Sequence, residues 1–364
     1  MRLLYDVTKA HVGRHASGLM RVSRCLGVAL ARVHEAVVPV RWHGRRRAYV
    51  TVADGAAVIG APTDALLVPE LFCEPERPGH DAWLAGCRAL RVALFHDAIP
   101  LQHPEFSWPQ SVQRHPHYLK SLTGLDLVLA VSRASERVLA GYWDWLGVTR
   151  RPRLGTIRLG ADLPGVPRAA RADARREDLV LAVGIVEPRK GQDLLLDALE
   201  QRWAAGASTR LVLVGRVNPH FGRPMVARVR ALRRRRLPVE HHTGLDDAAL
   251  GKLLARASLL AFPSRAEGLG LPVLEAMWMG VPCVASDIPS VRETADGGGC
   301  ALFPSGDATA LRQVLDGLLG PGGAPALARL RGEAVARELP TWTGAAQQVV
   351  AAIGAAGAGR DQGG

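Results

Sequence analysis

Two glutamates, Glu267 and Glu275, stand in one short stretch, "FPSRAEGLGLPVLEAMWMGVPCVASD" at 262–287. The apolar run "SLLAFPS" just before them reads as a buried strand and "RAEGLGLP" as a loop. Pro272 suits the first position of a helix expected to run to about Met279 and to stop at Gly280. Gly268 and Gly270 free the backbone, so the amides from Gly268 through Leu269 to Gly270 can turn toward a ligand. Carboxylates accept hydrogen bonds from hydroxyl groups, and amides donate to sugar or phosphate oxygens. The pairing therefore suits a hydroxyl-rich ligand. Glu275 taken alone also fits an acid favoured by the helix dipole, but that leaves Glu267 and the glycines unexplained.

A second loop, "VGIVEPRKG", follows an apolar run ending near Val183. It sets Arg189 and Lys190 on a turn between Pro188 and Gly191. Two adjacent cations before a helix start suit an anion such as a diphosphate, because backbone amides there already favour negative charge. An exposed turn with two surface cations fits the same residues, and local sequence leaves both readings open. A third loop, "RVALFHDAIPLQHPE", puts His96 and Asp97 at the end of a β run; a structural histidine and a site histidine are both consistent with it. A fourth, "TKAHVGRHASGLMRV", joins the first strand to the first helix and offers Gly18 for close approach, with Arg14 and Arg21 as cations. No metal constellation is apparent, since "EHH" at 240–242 lacks the spacing of a zinc site. No G-x-x-x-x-G-K-[ST] occurs, and no G-x-G-x-x-G lies between a strand and a helix.

Alternating β runs and helical stretches must position these loops. Strands are expected at 2–7, 36–42, 65–70, 91–97 and 125–132, with helices such as 18–33 and 132–143 between them; Ser132 is a helix cap. The rhythm restarts with strands at 178–186, 209–215, 238–244, 258–264 and 281–286. Strands regularly separated by helices imply parallel sheets of βαβ units. Two such series predict an α/β chain of two doubly wound domains, joined by the Pro-, Gly- and Ala-rich stretch 160–178. The chain has 364 residues, 48% of them hydrophobic, which suffices for two packed cores. The formal net charge of +12 is carried almost wholly by arginine and favours anionic partners. Its densest run, 228–238, reads as a solvated helix face with Met225, Val229 and Leu232 beneath; contact with anionic lipid is the alternative. Cys25, Cys73, Cys87, Cys283 and Cys300 form no C-x-x-C pair and are expected to be reduced and mostly buried. No apolar run approaches the roughly 18 residues of a membrane span, and the start shows no signal peptide. These features lead to an expected place in the cytosol.

The 262–287 stretch closely resembles the E-x7-E segment of retaining glycosyltransferases of family 4, which have the GT-B fold. "VGIVEPRKG", "LVLVG", "ALFHDAIPL", "VSRASERVL" and "IRLGAD" match that family's other signposts in order, and "YDVTKAH…SGLMRV" is similar to members that build bacterial polysaccharides. The resemblance implies two Rossmann-like doubly wound parallel-sheet domains facing across a cleft: an acceptor-side domain at 1–165, a nucleotide-sugar-binding domain at 166–335, a helix crossing back at 336–355 and a flexible tail at 356–364. By motif, His96, Arg189, Lys190 and Glu267 would carry catalysis. Gly18, Gly184, Glu267, Gly268, Leu269, Gly270 and Glu275 would bind the donor, with Glu275 on the ribose. One departure stands out: many members carry arginine directly after the strand-end glycine, where this chain has Ile185 after Gly184.

The implied function is transfer of a hexose, mannose-like favoured, from a GDP- or UDP-linked donor to a glycan or lipid-linked acceptor. The configuration would be retained, with no metal and no cofactor beyond the donor. An anionic membrane surface at the inner face is a further expected partner, and nucleic acid is not. The competing expectations are a sugar-nucleotide epimerase or other GT-B enzyme, and a non-enzymatic basic scaffold on membrane or nucleic acid.

Overall fold

Seven short strands build the first sheet: β1 (Leu3–Asp6), β2 (Val37–His43), β3 (Ala48–Thr51), β4 (Ala65–Val68), β5 (Leu90–Phe95), β6 (Leu127–Ala130) and β7 (Arg153–Thr156). Their order is β3-β2-β1-β4-β5-β6-β7, parallel throughout except for the antiparallel β2–β3 pair. Both β1 and β4 are buried along their whole length, as expected of strands covered by helices on both faces. The computed structural model describes residues 1–12, 18–170 and 176–361. The second sheet has six strands: β8 (Glu177–Val183), β9 (Arg210–Val214), β10 (Val239–His242), β11 (Ala257–Phe262), β12 (Cys283–Asp287) and β13 (Cys300–Pro304). It is wholly parallel in the order β10-β9-β8-β11-β12-β13. In each sheet the strand order reverses once, beside β1 in the first and beside β8 in the second. A crevice for ligands forms outside the carboxyl ends of strands at such a switch.

The chain divides into one unit of Met1–Gly160 with Pro340–Gly364, and another of Ala161–Leu339. The expected boundary at 165 is therefore corrected to 160. Ala161 and Leu163 are core residues of the second unit, the Trp278 indole donates to the Val166 carbonyl, and the Ala169 amide donates to that of Trp278. Proline and glycine composition in 160–170 marks irregular backbone that is nonetheless packed. The start of the second domain at 166 moves with it, and its end moves from 335 to 339.

The last helix spans Trp342–Asp361, so the tail expected at 356–364 is corrected as far as Asp361. Ala356 is buried, the helix packs on the Gly18–Val33 helix, and Arg153 donates to the Ala355 carbonyl. Tertiary contact thus holds an Ala/Gly-rich segment whose own propensity is mixed. Strands β3, β7 and β13 were absent from the sequence reading. All three lie at sheet edges, and none presents a continuous buried run.

Candidate active site

The carboxyl end of β8 feeds a tight sequence of turns. Glu187 is followed by the 3₁₀ turn Pro188–Lys190, then by Gly191 and the helix Gln192–Ala204. Gly191 has φ +65°, and a Cβ there would lie 1.9 Å from the Pro263 carbonyl oxygen. Only glycine admits both the backbone conformation and this approach. The turn after β8 is thereby pressed against the segment after β11, and the Arg265 amide donates to the Arg189 carbonyl at 2.8 Å. Two loops distant in sequence share one switch point.

Their charges meet there. Lys190 Nζ lies 2.6 Å from Glu267 Oε1, and Arg189 Nη1 lies 3.2 Å from Glu267 Oε2. Arg189 also forks onto Glu187, with Nη2 and Nε at 2.8 and 3.0 Å from Oε1. Asn218, in the segment after β9, donates to Glu187 Oε2 at 2.8 Å. Burial pushes the Glu267 carboxyl up, but Lys190 and Arg189 outweigh it and hold the group below its ordinary value. Burial lowers the Lys190 ammonium; Glu267 opposes it and Arg189 adds to it, and the group stays below its ordinary value. The Lys190 ammonium also sits 5.4 Å from the Phe262 ring centroid. Its aliphatic stem crosses Gly184, whose Cβ, if built, would be 3.3 Å from Cε.

Gly268, Leu269 and Gly270 lead into the helix Leu271–Trp278, with Gly270 (φ +103°) as its N-cap. Pro272 is the second helical residue rather than the first. Glu275 lies beyond the first turn and is only 5% exposed, so it is not an acid of the first turn favoured by the dipole. The helix Pro289–Ala295 fixes the loop from below. Ser290 Oγ donates to the Glu267 carbonyl at 2.8 Å, and Thr294 Oγ1 donates to the Leu269 carbonyl at 2.7 Å. In a trans peptide the N–H points opposite to the C=O. Tying down those two carbonyls turns the amides of Gly268 and Gly270 away from Ser290 and Thr294. These two hydroxyl residues escaped the sequence reading, because "PSVRET" carries no signal beyond a helix start. Ser290→Ala is expected to weaken binding of a ligand held by the Gly268 amide several-fold, about 1 kcal/mol for one hydrogen bond, with little change in Tm; calorimetric titration and a melting curve check it.

In the first unit His96 directly follows β5 and is 8% exposed. Its Nε2 lies 2.7 Å from the Pro69 carbonyl, so Nε2 carries the proton, and Ser135 Oγ donates to the His96 carbonyl. Burial lowers its pKa and favours the neutral ring. Gly18 opens the Gly18–Val33 helix and is exposed. Arg14 lies outside the described residues.

A buried ionic network beneath the segment after β1 was not foreseen. Arg77 Nη1 meets Asp6 Oδ2 at 2.5 Å and Nη2 meets Glu70 Oε2 at 3.5 Å, all three side chains at most 3% exposed. Glu70 accepts the Lys9 and Ala10 amides at 2.6 and 2.7 Å, and Asp6 accepts the Thr8 amide at 2.9 Å. The Tyr49 hydroxyl bridges Asp6 and His80. Burial, with Arg77 adding to it, depresses the His80 ring to about 3. Asp6 and Glu70, both held by Arg77, thus clamp the first residues of the short helix Thr8–Val12.

Of the residues singled out from sequence, the structure brings Arg189, Lys190, Glu267 and Gly184 into contact at the β8/β11 switch. Glu275 is held in the adjoining helix, and His96 and Gly18 belong to the other unit. Among the described residues no group of three or more His, Cys, Asp or Glu side chains is arranged to hold a metal, and no helix is long and apolar enough to cross a membrane.

Two doubly wound parallel sheets, with a cation–carboxylate cluster at the switch point of the second, define the GT-B class. Comparison with known proteins agrees. Residues 177–320 match the family described as "Glycosyl transferases group 1". The chain is 28% identical over 252 residues to the Escherichia coli "Serotype-specific mannosyltransferase WbdA", covering 65% of this chain and 30% of that protein. It is 29% identical over 263 residues to the "Phosphatidyl-myo-inositol mannosyltransferase" of Mycobacterium leprae, covering 68% and 62%. The chain therefore spans less than two thirds of the length of these relatives. Among solved structures, Anabaena Alr3699/HepE in complex with UDP and glucose superposes with a TM-score of 0.70 at 17% identity, covering 98% of this chain and all of that one. Sucrose-phosphate synthase from Thermosynechococcus elongatus gives 0.65 at 19% identity, covering 96% of each. At these identities the likeness concerns the fold.

Proposed function

We propose that this chain is a glycosyltransferase that moves a hexose, mannose favoured, from a GDP- or UDP-linked donor to a glycan or lipid-linked acceptor. The observation that carries the reading is the convergence of Lys190, Arg189 and Glu267 beside the glycine-bearing loop 268–270, at the carboxyl ends of β8 and β11. Sugar hydroxyls suit Glu267 and the loop amides, and a diphosphate suits the two cations. The similarity to two mannosyltransferases supports mannose as the sugar.

In this reading the acceptor oxygen bonds to the anomeric carbon as the bond from that carbon to the diphosphate oxygen breaks. The acceptor proton passes to the departing phosphate on the same face, so configuration is retained. Lys190 and Arg189 stabilise charge growing on the leaving diphosphate, which is the ground for expecting no metal requirement. Neither Glu267 nor Glu275 acts as a covalent nucleophile, unlike the carboxylate pair of retaining glycosidases. In this reading Glu275 binds the ribose. A peripheral place at an anionic membrane surface belongs to the same reading and rests on the basic balance.

The test is incubation with GDP-mannose, UDP-glucose and dTDP-glucose, with and without EDTA. Slow release of the nucleoside diphosphate, unaffected by EDTA, is expected with one donor. Absence of turnover and of binding with every donor overturns the reading in favour of a scaffold.

A further inference from the structure

The cations assigned to the diphosphate are already engaged. Arg189 and Lys190 contribute two positive charges, Glu187 and Glu267 two negative ones, and all four side chains are at most 18% exposed. The neighbouring Arg265 is likewise bound to Asp193, at 2.8 and 2.6 Å. The cluster is thus close to neutral before any ligand arrives, whereas a diphosphate brings more than one negative charge to it. An uncompensated cation is needed nearby, and Ile185 supplies none.

The parallel register shows where one stands. Val183 pairs with Val214, and the pairing continues as the bridge between Val186 and Val217. Stepping along that register sets Ile185 beside Arg216, with the Val186 amide donating to the Arg216 carbonyl at 2.8 Å. Paired residues in adjacent strands share a face, and successive residues alternate. Val186 is buried and Val217 packs toward Gly222, where an added Cβ would come within 2.6 Å of Val217 Cγ1. The alternation places Ile185, half-buried, and Arg216, exposed, together on the opposite side.

The two strand ends stay paired here, with the Gly184 amide donating to the Val214 carbonyl at 2.8 Å, and a Cβ on Gly215 (φ +154°) would lie 1.9 Å from the Gly184 carbonyl oxygen. Gly184 is the residue that the Lys190 stem crosses. The Arg216 side chain is exposed and has no hydrogen-bond or ion-pair partner among the described residues.

We infer that Arg216 is a further donor-binding residue, contacting the diphosphate from the end of β9 and supplying the charge that Ile185 does not. The inference rests on the donor reading above and adds to it a residue outside the two loops on which that reading was built. Guanidinium suits the role because it is permanently charged and offers a planar fork to phosphate oxygens.

The experiment is calorimetric titration of GDP, UDP and their nucleosides into five proteins: the wild type, Arg216→Ala, Arg223→Ala, Lys190→Ala and the double variant Ile185→Arg/Arg216→Ala. Arg223 is an exposed cation at the start of the next helix and reports the general field. Arg216→Ala should weaken binding of the preferred nucleoside diphosphate by about tenfold to a hundredfold, the worth of a charge-assisted hydrogen bond, and leave nucleoside binding unchanged. Arg223→Ala should change neither. The double variant should recover most of the loss, because it returns the charge one strand over on the same face. Unaltered diphosphate binding by Arg216→Ala, while Lys190→Ala loses it, sinks this inference and spares the donor reading. Equal losses in Arg216→Ala and Arg223→Ala also sink it, as a diffuse field. Failure of the wild type to bind any diphosphate sinks both.

Discussion

Lys190→Ala should lower turnover about a hundredfold or more, with the larger part in kcat rather than KM. Electrostatic groups placed before the reaction act on charge that develops in the transition state, and removing one typically costs two to three decades. Lys190 meets the requirements: its ammonium is fixed by Glu267 at 2.6 Å and faced by the Phe262 ring. It is also pre-positioned by a turn that Gly191 locks against Pro263. Steady-state kinetics with the preferred donor would measure the effect, and unchanged kinetics would remove Lys190 from the mechanism. The pH profile adds an independent check. Burial lowers the Lys190 pKa, so the charged form required for binding is lost as pH rises, and earlier than for an ordinary lysine near 10.4. The alkaline limb of donor binding should therefore lie below that value. Lys190→Arg should move the limb upward, since guanidinium does not deprotonate in this range, even if geometry lowers the rate.

Why this pair of loops was visible in sequence, while their supports were not, follows from the range of the physics. Glycines at a strand end, adjacent cations and a proline at a helix start are local devices, and each is readable within a few residues. The strand–helix alternation is local too, which is how the two doubly wound units and the Gly18–Val33 helix could be read with their bounds nearly intact. Ser290 and Thr294 reveal their roles only through carbonyls 23 and 25 residues away. Glu187 and Asn218 meet across 31 residues. Ile185 looked like a lost cation until the sheet register placed Arg216 next to it. The edge strands β3, β7 and β13 were missed because partial exposure blurs the apolar signature that marks a central strand. The boundary at Gly160 was missed because proline and glycine report irregular backbone and are silent on whether it is packed.

The buried network of the first unit supplies the other large effect. Arg77→Met should destabilise the protein by about 3–5 kcal/mol, since it removes one partner and leaves Asp6 and Glu70 as uncompensated buried carboxylates. A Tm loss on the order of ten degrees is expected for a unit of this size, and a melting curve reads it. The deficit should also depend on pH, with a definite sign. In the intact protein burial pushes the Asp6 carboxyl up, and Arg77 together with Thr8 more than reverses it, holding Asp6 below its ordinary value; burial and Asp6 raise Glu70. Without Arg77 both carboxyls would be raised above their unfolded values. A carboxyl raised in the folded state contributes stability below its unfolded pKa and loses it as pH rises. The gap between variant and wild type should thus narrow toward pH 4 and widen toward pH 8. Replacing Asp6, Glu70 and Arg77 together by apolar residues should recover only part of the loss. Although the charges would then be gone, the amides of Thr8, Lys9 and Ala10 would lose their acceptors, and an orphaned buried donor costs about 1–3 kcal/mol. Glu70→Gln, which keeps an acceptor for one of the two amides that the carboxylate takes from Lys9 and Ala10, should be milder than Arg77→Met. A Tm for Arg77→Met within a degree of wild type at pH 8 would show that the network neither stabilises this unit nor holds the Thr8–Val12 helix.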